Sequence, residues 1–279
     1  MHPFVIYKAQ VKMNKAEKAL SELGAMDELA SQDSFIHELS AAVKLPVTIV
    51  YIITVMSFGK YDLSGLMPMV LLPVLLYQIS GIPVRTCFYK LRIVLPLVMA
   101  VGLFNPFFDR QVFFYMGRVP VTGGVISMIT LMLKGIFCLM ASFLLVATTP
   151  FDSICAALRQ FRLPKILVTL LLLTYRYISV MAEEVAVMTD AYHLRAPGQK
   201  GIHISAWGSF LGQLLLRSMD RAQELYSSML LRGYDHEFHY APSRPFKKQD
   251  AVYILLCVLF CVLMRTVNIA QLLGNMIVR

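Results

Sequence analysis

The sequence predicts an all-α polytopic membrane protein with about five transmembrane helices and two long helices between the fourth and the fifth. Three observations lead there. Of 279 residues, 57% are hydrophobic and only 15% are charged, against about 25% charged in soluble proteins. Mean hydropathy is +0.64, more apolar surface than a soluble core of this length can hide. Apolar runs recur at close to span length, and the cations between them fall mostly on one side.

The first run, residues 45–58, lies between Lys44 and Lys60. It is short for a span of roughly 20 residues. Pro46 suits a first helical turn, and Lys44 is expected to snorkel. The second run, residues 63–84, has no charge, and Pro68 and Pro73 predict a kink. Arg85, Lys90 and Arg92 read as a loop before the third run, residues 93–108. The fourth, residues 121–149, carries Lys134 and ends at Thr148-Thr149-Pro150. The last, residues 251–273, carries Arg265. A mid-bilayer charge is costly and faces protein or water. Lys134 therefore reads as an interhelical contact or as the joint of two shorter helices, and Arg265 as a snorkelling side chain.

Lysine and arginine set the orientation. Of the 26 cations, 20 lie in the N-terminal segment, the loop after the second span and the stretch 151–250. Only Lys60, Arg110, Arg118 and Arg279 fall on the opposite side. The N-terminus is then cytoplasmic, and no early signal peptide is expected. The domain organisation follows as a cytoplasmic segment 1–44, spans in 45–149, a cytoplasmic or interfacial region 150–250, and a last span in 251–279. The net charge of +9 is explained by this bias, so nucleic acid is not expected as a partner. Cys87, Cys138, Cys155, Cys257 and Cys261 form no CxxC pair and read as small apolar filler.

Within 150–250, a helix is expected after Pro150, capped by Asp152 or Ser153. A very apolar run, residues 165–182, is broken by Arg176 and should lie at the interface or pack on the spans. Glu183-Glu184 turns the chain polar, and Pro197-Gly198 stops the helix after Arg195. A second helix follows Trp207. Its Ala222, Leu225, Tyr226, Met229 and Leu230 fall on one stripe, expected to pack the two long helices together. Gly233 is a C-terminal cap, which puts Arg232 on the last turn. One such arginine would read as dipole complementarity. Two, each on a helix tip of a membrane-anchored protein, point to docking, because the guanidinium fork binds carboxylates bidentately.

Three other functions fit less well. An intramembrane protease of the Glu-Glu-x-x-x-Arg type fails because Met188 holds the arginine position, and no HExxH or GxSxG occurs. Glu183 and Glu184 read instead as a polar face or as salt-bridge partners. Direct metal passage is disfavoured because none of His2, His37, His193, His203, His236 and His239 falls inside a clear span. Asp235-His236-Glu237 with His239 reads as a solvated loop. A membrane scaffold is the third alternative.

Residues 221–234, Arg-Ala-Gln-Glu-Leu-Tyr-Ser-Ser-Met-Leu-Leu-Arg-Gly-Tyr, resemble the second arginine signature of the transmembrane T component of energy-coupling factor (ECF) transporters, in the cobalt-type CbiQ group. Leu194-Arg195-Ala196 resembles the first signature. Met26-Asp27-Glu28-Leu29-Ala30 and Ser34-Phe35-Ile36-His37-Glu38-Leu39 ahead of Lys44 resemble the family's N-terminal approach to the first span. The resemblance implies an ECF T-component fold in a bacterial or archaeal cell membrane. It implies a non-catalytic subunit with no directly bound cofactor. Two ABC-type ATPase partners hold ATP and Mg, and a separate substrate-binding membrane subunit takes Co2+ or Ni2+. A small accessory membrane subunit belongs to the cobalt-type complex. Arg195 and Arg232 would contact the ATPases, with Leu194, Ala196, Leu231 and Gly233 shaping the tips as small or apolar neighbours. The chain has no GxxxxGK[ST] loop of its own.

Overall fold

The computed structural model describes residues 24–32, 34–105, 112–116, 119–197, 199, 201–235 and 247–266. Their regular secondary structure is helical apart from one two-stranded hairpin. The chain divides into two compact units. The first comprises Leu29–Gln160 and Ala241–Arg279, the second Met1–Glu28 and Phe161–Tyr240.

A short helix, α1, covers residues 24–30. The first unit holds α2 (Phe35–Glu38), α3 (Ala41–Ser57), α4 (Leu63–Leu66), a 3-10 turn (Met67–Val70), α5 (Leu71–Ser80) and α6 (Val84–Leu103). The antiparallel strands β1 (Val112–Met116) and β2 (Val119–Thr122) follow. Then come α7 (Gly123–Thr148), α8 (Phe151–Gln160) and, after the second unit, α11 (Lys248–Thr266). The hairpin was not expected from the sequence.

Among the described residues, four helical stretches are long and apolar enough to cross a membrane: Leu63–Ser80, Gly123–Thr148, Lys165–Arg195 and Lys248–Thr266. Three of them match expected spans. The expected first and third spans fall on shorter apolar helices, Ala41–Ser57 and Val94–Leu103. Residues 106–108 and 267–273 of the expected third and last spans lie outside the described residues.

Several sequence expectations change in detail. The helix α3 begins at Ala41, so Pro46 sits inside it rather than in its first turn. Arg85, Lys90 and Arg92 lie within α6, not in a loop. Pro150 supplies the carbonyl that Ser153 and Ile154 bond (3.0 and 3.2 Å). Asp152 and Ser153 therefore lie in the first turn of α8 instead of capping it. The second run kinks as expected, dissolving into the 3-10 turn at Pro68, and it stops at Ser80 before Gly81 at φ +73°.

Pro73 has no N–H, so the Met69 carbonyl one turn earlier loses its helical partner. The buried Tyr51 hydroxyl donates to that carbonyl at 2.9 Å. In an apolar surround an orphaned carbonyl costs several kcal/mol, so the tyrosine makes the kink tolerable. Tyr51 also stands in the main core, with Val47, Val55, Leu66, Met69 and Phe137. A second core gathers Tyr77, Ile82, Cys87, Met140 and Leu144. Four of the five cysteines are buried and Cys138 is half-buried; all are unpaired.

Lys44 and Lys134 receive a single explanation. Lys44 does not snorkel; it is 3% exposed. Its Nζ donates to the carbonyl of Thr148, the last residue of α7, at 2.9 Å, and to His37 O at 3.4 Å. Lys134, inside the single unbroken helix α7, donates to the carbonyls of Phe58 (2.5 Å) and Met56 (3.4 Å) at the end of α3. Each helix thus supplies a lysine to the orphan C-terminal carbonyls of the other, where a cation also suits the dipole. The spacing fits an antiparallel pair: Lys44 to Phe58 and Lys134 to Thr148 are both 14 residues, about 21 Å of helix. Arg265 joins at the same end of α3 instead of snorkelling. It donates to Ser57 Oγ (3.2 Å) and Ser57 O (3.3 Å) and lies 5.1 Å over the Phe58 ring.

Asp250, 3% exposed, ties α3 to α11. Its carboxylate accepts from Ser40 N–H at 3.2 Å and from Lys247 N–H at 2.9 Å. Asp250→Ala orphans both donors and should lower stability by about 2 kcal/mol. Asp250→Asn, which keeps one acceptor, should lose less. Thermal unfolding in detergent checks the order, and equal midpoints for all three proteins would refute the clasp.

The second unit holds α9 (Lys165–Arg195), a 3-10 turn (Ile204–Ala206) and α10 (Trp207–Leu231). The apolar run 165–182 and the polar segment after it form one continuous helix of 31 residues, about 46 Å long. Tyr175 donates to Asp27 Oδ1 at 2.6 Å, tying the N-terminal segment of this unit to α9.

Candidate functional site

The site is built from the ends of α9 and α10. Arg195 is the last residue of α9. Ala196 leaves the helix at φ −126° and ψ 66°, and its N–H still reaches Tyr192 O at 3.0 Å. Pro197 has no N–H with which to continue the helix.

The second tip ends differently. Leu231 closes α10 and Arg232 is its C-cap, one position beyond the last turn expected from sequence. Gly233 adopts φ +80°. Gly233 N–H bonds Leu230 O (3.0 Å) and Tyr234 N–H bonds Met229 O (3.0 Å). Those two bonds form a Schellman motif, which needs a left-handed residue where glycine alone is unstrained. Gly233 is therefore required by the local backbone, whatever it also does at a contact surface.

Both tips present the same pair of chemistries. Leu194 is 84% exposed and Leu231 is 89% exposed. Arg195 and Arg232 are exposed, and neither guanidinium has a hydrogen-bond or ion-pair partner among the described residues. Each tip sets a bare leucine beside a guanidinium without a partner among the described residues, chemistry that suits an apolar and anionic counterpart. Ala196 is half-buried and Gly233 exposed.

The stripe residues Leu225, Tyr226 and Met229 line a cavity of about 340 Å3 with Leu173, Tyr177 and Met181 of α9. Leu230 does not line it and stays exposed. Glu184 of α9 and Arg217 of α10 form an ion pair that joins the two helices. That gives Glu184 the salt-bridge role read from sequence, with a partner that periodicity does not name. The rest of α10 is bare: it has no buried residue. Trp207, Leu211, Leu215 and Met219, four residues apart, form an exposed apolar line.

Sequence reasoning misses three features of this unit. Ile204, 86% exposed, is a lone isoleucine in a turn and carries no periodic signal. The Glu184–Arg217 pair is set by the helix crossing. The side-chain bonds of Tyr192 to the returning chain depend on loop geometry. Among the expected histidine features, His236 and His239 lie outside the described residues, as does His2.

A family model described as cobalt transport protein, CbiQ, matches residues 32–240. The chain is 34% identical over 104 residues to the cobalt transport protein CbiQ of Rhodobacter capsulatus, covering 36% of this chain and 42% of that relative. It thus spans less than half of that relative's length in the match. It is 23% identical over 251 residues to the energy-coupling factor transporter transmembrane protein EcfT of Limosilactobacillus fermentum, covering 83% of this chain and 92% of that one. It is 28% identical over 91 residues to the nickel permease LarQ of Lactiplantibacillus plantarum, a third of each chain (33% and 33%). A model matching 209 of 279 residues, with both helix tips inside the match, settles the family: the chain belongs to the CbiQ family of cobalt transport proteins.

Proposed function

We propose that this chain is the multi-pass transmembrane T component of an ECF-type importer for cobalt or nickel ions. In this reading it sits in a bacterial or archaeal cell membrane with its N-terminus in the cytoplasm. It hydrolyses no ATP itself; it carries the motion of two ABC-type ATPase subunits to a separate membrane subunit that binds the metal. A small accessory membrane subunit completes the assembly. The observation that carries the proposal is the pair of exposed Leu-Arg tips, Leu194-Arg195 and Leu231-Arg232, with unpartnered guanidinium groups.

The supporting physics is that of a buried contact. A leucine entering an apolar groove supplies area, and a guanidinium meeting a carboxylate there forms a strong charge-assisted pair. Long helices suit the task because they move as rigid levers. Within the unit that bears them, α9 and α10 are joined by the Glu184–Arg217 pair. The bare apolar line of α10 fits a membrane subunit as partner. The likeness to a nickel permease supports nickel as the alternative cargo.

The test is a tagged purification from membranes in mild detergent, comparing wild type with the double variant Arg195→Glu/Arg232→Glu. An ABC-type ATPase should co-purify with wild type and be lost from the double variant. Retention of the ATPase by the charge-reversed chain would refute the assignment of the tips. Absence of any ATPase from the wild-type preparation would return the chain to the scaffold reading.

A further inference from the structure

Tyr192 lies three residues before Arg195 and is half-buried. Its hydroxyl donates to Gln199 Oε1 at 2.9 Å and accepts from His203 N–H at 3.2 Å. One side chain on the last turn of α9 thus holds two points of the chain returning to α10. Among the described residues of the returning segment, other backbone bonds are sparse. Pro197 has no N–H, Gly201 sits at φ +83°, and Gln199 N–H reaches Ala196 O only at 3.4 Å. His203 carries the connection onward. Its Nδ1 accepts from Ser205 N–H at 3.4 Å, lies 2.8 Å from Ser205 Oγ, and so caps the 3-10 turn that opens α10.

We infer that Tyr192 is a positioning residue for coupling: its hydroxyl closes the α9–α10 turn and fixes the direction in which Leu194 and Arg195 project. The inference rests on the reading of Arg195 as an ATPase contact. A phenylalanine would cover the same apolar surface, so packing alone does not require the hydroxyl. A hydroxyl with both its donor and an acceptor position used, across spans of 7 and 11 residues, restrains Gln199 and His203 relative to the end of α9. A rigid tip delivers a push; a frayed one absorbs it.

The test uses the full complex in lipid vesicles and reads metal uptake per ATP hydrolysed, together with the amount of assembled complex. Tyr192→Phe keeps the ring and its edge contact with His193, 6.1 Å between centroids. It should lower uptake per ATP about three- to ten-fold, the worth of one neutral hydrogen bond, at normal assembly and unfolding temperature. Gln199→Glu keeps the acceptor and should retain coupling, whereas Gln199→Leu should lose part of it. The double variant Tyr192→Phe/Gln199→Leu should be no worse than Tyr192→Phe, because the two changes remove a shared bond.

Wild-type coupling in Tyr192→Phe overturns the inference. So does a loss of uptake that merely tracks a loss of assembled complex, since that marks a structural role. Arg195→Glu in the same assay separates the two readings. If it uncouples while Tyr192→Phe does not, the tip stands and the clasp falls. If Arg195→Glu is silent, the tip assignment itself has failed.

Discussion

Lys134→Met is expected to destabilise the first unit by about 3 kcal/mol, read as a fall in the detergent unfolding midpoint. The variant removes a charge from an apolar helix, which by itself should help. It also orphans the Phe58 and Met56 carbonyls, which Lys134 meets at 2.5 and 3.4 Å. An unmet carbonyl costs about 1–3 kcal/mol where it is shielded, and bonds to a charged donor are worth about 1.5–3; the part-buried Phe58 bond carries most of this, because the Met56 bond is exposed. The second effect wins because α3 stops there. With 17 residues it is about 26 Å long, shorter than the roughly 30 Å hydrocarbon core, which brings its end close to the apolar region where an unmet carbonyl is costly. Lys134→Arg, which keeps charge and donors, should recover part of the loss. Lys44→Met should act similarly at the other end of the pair, by freeing Thr148 O. Unfolding midpoints equal to wild type in both methionine variants would show that the reciprocal caps contribute nothing. Lys134 would then need another role.

The mid-helix lysine shows where sequence reading succeeds and where it stops. Hydropathy alone marks α7, because a 26-residue, predominantly apolar helix with a single charge has no other home. The same reasoning says that Lys134 must face protein. It does not say that the partner is the end of α3, since that depends on two helices lying antiparallel with matched spacing. Pro46 failed for a related reason. Charge and hydropathy place the start of a span near Lys44, but Asp250 and the core at Val43 and Val47 favour a helix from Ala41. Tertiary burial outweighed the local signal. The 165–182 run was ambiguous because Arg176 and the two glutamates dilute its hydropathy; continuity through Arg195 is a backbone fact that composition does not carry. The arginine tips were legible because helix stops are written locally. Pro197 and Gly233 mark them in sequence, and the structure adds that Leu194 and Leu231 stand bare beside the charges.

Arg232→Ala is expected to reduce metal uptake at least ten-fold, whereas Lys247→Ala leaves it near wild type. Truncating one partner of a buried charge pair costs about 2–5 kcal/mol, most of it from the counter-charge left unpaired. Lys247 is the right control. It is an exposed cation whose hydrogen bonds among the described residues all run through its backbone: its N–H donates to the Asp250 carboxylate and its carbonyl accepts from the Asp250 and Ala251 N–H groups, all of which alanine preserves. A loss seen only in Arg232→Ala cannot be charged to net charge or to general cation removal. Unfolding of the tip is also excluded as a cause. The Schellman bonds run through the backbone of Leu230, Met229, Gly233 and Tyr234 and do not use the Arg232 side chain. Leu231→Ser should lower uptake as well, by removing apolar area from the same contact, with no change in charge. Equal effects of Arg232→Ala and Lys247→Ala on uptake would sink the assignment, because an exposed guanidinium that complements only a helix dipole is worth about 0.3–1 kcal/mol. The ten-fold threshold lies above that range, so the magnitude itself decides between a docking arginine and a decorative one.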